Sequence, residues 1–141
     1  MKRLSDYEEY INNHEFEKAA TFSAKHSNIP VYKSYRGLAF FIRKNKSIKN
    51  RHEIADSYLR KGCDAGDYHA CRREADLIQQ KGNLEEAEKI YIHLATNYPD
   101  PASAGNLVTM YHNKKWEGYN PEEAKYWRLK IPKLAKDESN K

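Results

Sequence analysis

Residues able to do chemistry are few here, and their spacing does not favour it. Cys63, His69 and Cys71 form a C-x5-H-x-C arrangement. A structural metal site needs more ligands and usually tighter spacing. Small buried thiols are the simpler reading of the two cysteines. His14-Glu15 and His52-Glu53 each begin like the zinc-protease motif H-E-x-x-H, but Lys18 and Asp56 stand where the second histidine is required. The glycine-bearing stretch from Lys61 to Gly66 lacks the Lys-Ser/Thr pair of a phosphate-binding loop. Glu85-Glu86 and Glu122-Glu123 fall in first helical turns, where negative charge favours the helix dipole. They are therefore not expected to act as an acid–base pair. No catalytic, metal or cofactor set emerges, so the expectation is a non-enzymatic protein with no cofactor and no small-molecule substrate.

Composition bounds what carries these residues. The chain has 141 residues, of which 32% are charged and 39% hydrophobic, with a mean hydropathy of −1.02. No run of about 18 apolar residues exists to cross a membrane. The opening MKRLSDYEEY turns acidic where a secretory signal would be apolar. Two cysteines are too few for a disulfide-stapled fold. The expectation is one helix-rich cytoplasmic domain over residues 1–141, with a flexible tail at 136–141.

Charge is unevenly spread. Residues 31–61 carry nine basic side chains against Glu53 and Asp56, whereas residues 62–100 carry four basic against eight acidic. Such a dipole favours an anionic partner or steers association, although a solvated lysine-rich face would look the same in sequence.

The elements that must position these charges repeat. Glu17-x-Ala19 with Phe22, Glu53-x-Ala55 with Tyr58, Glu85-x-Ala87 with Tyr91, and Glu122-x-Ala124 with Trp127 place their alanines 36, 32 and 37 residues apart. A small alanine lets two helices approach, and a bulky residue one turn later fills the gap beside it. Asn83 and Asn120 are placed to cap helices, with Pro121 at a first helical position and Asn50 near another start. The punctuation predicts helices over 4–12, 15–27, 31–44, 51–64, 68–80, 84–97, 101–113 and 121–135. Pro132 is expected to end the last one early.

Residues 81–100, KGNLEEAEKIYIHLATNYPD, resemble the second half of a tetratricopeptide repeat, with Gly82, Ala87, Tyr91 and Pro99 at its turn glycine, packing alanine, aromatic and terminating proline. Residues 104–131 resemble the related Sel-one-like repeat, through Leu107 and Tyr111, Asn120-Pro121, and Ala124 with Trp127. The resemblance implies an all-α, right-handed α-solenoid of about four stacked helix hairpins, with repeats near 4–27, 31–66, 68–99 and 101–135. It also implies a concave groove lined by the first helix of each hairpin, as stacked repeats present.

With Leu38 and Ala39 in the close-packing positions, helical periodicity sends Lys33, Arg36, Phe40, Arg43 and Lys44 toward that groove or its rim. His69, Arg72, Asp76 and Gln79 follow in the next hairpin, and His112 and Asn113 in the last. Trp116, beside Lys114 and Lys115 in the final turn, is either an exposed hot spot or a plug at the end of the stack. The expected activity is capture of a protein or acidic peptide, as an adaptor, a chaperone-like factor or an inhibitor of the immunity-protein kind. Nucleic-acid binding through residues 31–61 is the alternative, since basic and aromatic side chains interleave there.

Overall fold

A computed structural model describes the backbone of residues 3–140 and the side chains of residues 6–140. Every element among them is an α-helix: α1 (Arg3–Asn12), α2 (Phe16–Ser27), α3 (Val31–Lys44), α4 (Arg51–Asp64), α5 (Tyr68–Gln80), α6 (Leu84–Asn97), α7 (Pro101–Tyr111) and α8 (Pro121–Ser139). The chain divides into two units, residues 1–74 and 75–141, with the division inside α5.

In the first unit α1 packs on α2, α2 on α3, and α3 on α4. The buried side chains include Tyr7, Ile11, Ala19, Leu38, Ile42, Ala55 and Leu59, with Ile48 entering from the connection after α3. Gly62 brings α4 close to its neighbours. A Cβ there would come within 3.3 Å of both the Tyr32 carbonyl oxygen and the Ala70 Cβ.

In the second unit α6 packs on α7 and α7 on α8. One apolar cluster joins Ala75, Ala87, Tyr91, Leu107, Tyr111, Ala124 and Trp127. All four alanines singled out by the repeat, Ala19, Ala55, Ala87 and Ala124, are fully buried, as a close-approach role requires.

The helix boundaries follow local chemistry. Asn120 caps α8, its side chain accepting from the Glu123 N–H at 3.2 Å, with Pro121 at the first helical position. Asn83 and Asn50 also precede helices, but neither makes a side-chain cap bond. Gly66 and Gly82 turn the chain at φ +108° and +91°, conformations that cost a side chain dearly.

Two expectations are corrected here. The last helix does not stop near Pro132; it continues to Ser139. Proline removes one backbone hydrogen bond, while Ile131 and Leu134 on either side pack against the core and hold the helix. The expected tail is therefore helical through Ser139, and Lys141 lies outside the described residues.

The cysteines are not free thiols either. Cys63 and Cys71 form a disulfide, their Cα atoms 4.7 Å apart. The turn through Gly66 folds the end of α4 back on the start of α5, which brings together two residues eight apart in sequence. A Cα separation in this range is what a bridge needs.

Candidate interaction surface on α3

Helix α3 shows two faces. Ser34, Leu38 and Ile42 recur one turn apart and are buried with Ala39. Lys33, Gly37, Phe40, Phe41 and Lys44 occupy the outer side, as a 3.6-residue period requires. Phe40 and Phe41 remain 53% and 47% exposed, a large apolar area for one helix to leave in water. Their rings meet edge to face with centroids 5.4 Å apart, and Phe41 meets Tyr7 of α1 the same way at 5.5 Å. Burial pushes the Tyr7 hydroxyl up to about 12. Lys44 Nζ lies 4.8 Å from the Phe40 ring centroid, a cation–π contact. The surface is thus an aromatic pair between exposed lysines, fixed at one side by α1.

The two arginines of this helix do other work. Arg36 Nε donates to Asp67 Oδ2 at 2.7 Å, and Asp67 is almost fully buried ahead of α5. Arg43 Nη2 donates to Asp56 Oδ1 at 2.6 Å, and Arg43 Nη1 also lies 3.2 Å from His52 Nδ1. Both guanidiniums are internal ties, from α3 to the α5 start and to α4. The interface set on this helix therefore narrows to Lys33, Phe40 and Lys44, with Phe41 added. Phe41 lies outside the set expected from sequence, and its position beside Phe40 was the available signal.

The remaining expected residues lie on α5 and in the connection after α7. Asp76 Oδ1 and Gln79 Oε1 lie 2.5 and 3.0 Å from the Tyr91 hydroxyl, and Asn106 donates to Asp76 at 3.4 Å. They anchor a fully buried tyrosine. His69 stacks on Tyr68 at 4.2 Å, and Arg72 is half-buried. His112 Nε2 lies 2.7 Å from Arg128 Nη2. Asn113 shapes the final turn, its Oδ1 accepting from the Lys115 N–H and its carbonyl from the Trp116 N–H.

Trp116 is buried and so is not the exposed hot spot. It is 8% exposed, stacks on Tyr111 with centroids 5.8 Å apart, and donates from Nε1 to Glu85 Oε1 at 3.3 Å. Tyr111 in turn donates to Glu88, and burial with that carboxylate raises its hydroxyl well above the ordinary range.

Among the described residues no group of three or more His, Cys, Asp or Glu side chains could hold a metal ion. No protein-family model matches the chain, and no curated protein or solved structure matches it significantly.

Proposed function

We propose that this chain is a non-enzymatic protein-binding module of the tetratricopeptide or Sel-one-like kind, and that the outer side of α3 docks a partner protein or acidic peptide. The observation that carries this reading is the exposure of Phe40 and Phe41 between Lys33 and Lys44. Aromatic anchors rimmed by charge are the usual centre of a binding hot spot. Four buried alanines at spacings near 35 residues support the repeat architecture. Nucleic-acid binding is the weaker reading, because Arg36 and Arg43, the best phosphate forks in the basic block, are already paired with carboxylates.

No helix among the described residues is long and apolar enough to cross a membrane. A formed bridge between Cys63 and Cys71 fits an oxidising compartment better than the cytoplasm expected from composition, where thiols are kept reduced.

The test begins with affinity capture from the native host, followed by titration of the purified partner. Phe40→Ser combined with Lys44→Glu is expected to weaken binding at least ~10-fold, the equivalent of about 1.4 kcal/mol, with an unchanged melting temperature. Equal affinity of variant and parent overturns the reading. Salt-sensitive retention of a single-stranded oligonucleotide, lost in the same variant, points to the nucleic-acid alternative instead.

A further inference from the structure

Helix α8 turns one side to the core of its unit and the other to water. Ala124 and Trp127 are buried, and Ile131 and Leu134 pack against the same apolar cluster. At about 100° per residue the opposite side is centred on Leu129. Lys125, Lys133 and Lys136 fall within about 40° of that centre, and Tyr126 and Pro132 within about 60°. All six are exposed.

Leu129 is 71% exposed, more than any other exposed large hydrophobic side chain among the described residues, and Tyr126 is 50% exposed. Single apolar side chains on a surface are ordinary. The charge around these two is not. Between Ala124 and Lys136 the helix carries Lys125, Arg128, Lys130, Lys133 and Lys136, and no acidic residue. The acids of α8 are confined to its ends: Glu122 and Glu123 in the first turn, Asp137 and Glu138 near the last.

The lysines are only lightly engaged. Lys133 Nζ lies 3.4 Å from Asp137 Oδ2, but the two side chains are 80% and 46% exposed, so water and salt weaken the pair. Lys130 Nζ lies 4.7 Å from the Tyr126 ring centroid, a cation–π contact that ties one ammonium to the exposed ring. Arg128 differs, since its Nη2 lies 2.7 Å from His112 Nε2.

An outward helix face is convex, and this one runs about 16 Å from Lys125 to Lys136. It offers a protein partner no pocket in which to bury an anchor. A bilayer surface needs none. Its headgroup boundary takes up leucine and tyrosine side chains, while lysine stems lie along the apolar zone and set their ammoniums among the headgroups. Anionic lipids attract clustered basic side chains, so the charges are complementary.

We propose that the outward side of α8, through Lys125, Tyr126, Leu129, Lys130, Lys133 and Lys136, docks this protein on an anionic lipid bilayer. The helix lies along the surface, with Leu129 and Tyr126 entering the headgroup boundary and the lysines meeting lipid phosphates and carboxylates. No helix among the described residues is long and apolar enough to cross a bilayer; α8 rests on one. The contact goes beyond the docking role given to α3 and uses none of its residues.

The probe is vesicles of phosphatidylserine and phosphatidylcholine in equal parts, co-sedimented with the whole protein, with pure phosphatidylcholine vesicles as the control. Sedimentation with the mixed vesicles alone is expected, weakening as salt rises. Lys125→Glu combined with Lys133→Glu should weaken binding at least ~10-fold. Leu129→Ser should weaken it several-fold with the salt dependence unchanged, because it removes apolar burial and no charge. The Phe40→Ser, Lys44→Glu protein should sediment as the parent does, which separates this contact from the one on α3.

Should the double glutamate variant fail to fold by circular dichroism, Lys125→Gln with Lys133→Gln takes its place, with a smaller loss in the same direction. The proposal is overturned if the parent ignores the mixed vesicles, if it binds pure phosphatidylcholine equally, if the lysine or the Leu129 variant binds like the parent, or if the α3 variant loses binding. Retention on polyglutamate without vesicle binding, lost in the lysine variant, overturns it too and marks the stripe as a seat for an acidic protein.

Discussion

Arg36 Nε and Asp67 Oδ2 are 2.7 Å apart, and Asp67 is 3% exposed. The contact joins α3 to the residue that opens α5, whose carbonyl accepts from the Ala70 N–H. A carboxylate buried this far must keep its partner. Arg36→Glu is therefore expected to lower stability by about 1–3 kcal/mol, since it strands a buried charged acceptor beside a like charge. Chemical denaturation of variant and parent checks this. Arg36→Lys should recover part of the loss by restoring a cation without the fork geometry.

The Cys63–Cys71 bridge closes a short loop around Gly66 and Asp67. Loop-closure entropy for that length suggests about 2–3 kcal/mol of stabilisation. Cys63→Ser with Cys71→Ser should lower the denaturation midpoint accordingly, and a reductant should shift the parent toward the double variant while leaving the variant unmoved. Thiol titration of the untreated, unfolded protein should find no free sulfhydryl.

Trp116 fills the end of the second unit's core, and its ring lies over Gly118. A Cβ on Gly118 would sit 2.6 Å from two ring carbons. Gly118→Ala is expected to cost about 1–3 kcal/mol by displacing the indole, and Trp116→Ala about 3–5 kcal/mol by emptying its site. Thermal unfolding measures both, and tryptophan fluorescence in Gly118→Ala should report a wetter indole.

Glu74 gives stability a pH dependence. Burial pushes its carboxyl above the ordinary 4.5; Arg60 pulls it down, and Asp64 and Asp56 push it further up. The folded chain thus holds this proton more tightly than the unfolded chain does. That contribution is fully present below pH 4.5 and is lost as pH rises through the raised folded value. Glu74→Gln should consequently gain on the parent as pH increases from about 4 to about 7. Melting temperatures of the pair across that window test the sign.

Much of the helical frame was legible because punctuation is local. Pro30, Pro101, Pro121, Gly82 and the capping Asn120 mark helix ends through their own backbone chemistry. Most predicted boundaries consequently fall within two residues of those observed. The buried alanines were legible because a fixed spacing repeats. What escaped was pairing across distance. Nothing local to Arg36 announces Asp67, which lies 31 residues away, so a fixed structural arginine resembled an exposed one. Tyr58 misled in the opposite sense: its repeat position suggested core, yet it is only half-buried among Phe16, Tyr35 and Lys61. The cysteine partnership belongs to the corner between α4 and α5, which neither helix announces by itself. Helix α8 outran its proline because apolar neighbours hold it.

With both sulfurs consumed in one bridge, the native chain offers no background to thiol-directed reagents in non-reducing buffer. A single cysteine installed at exposed Lys46 or Lys115 becomes the sole address for a maleimide dye. A doubly substituted chain carrying one fluorophore on each unit would then register, by energy transfer, any change in their separation when a partner arrives.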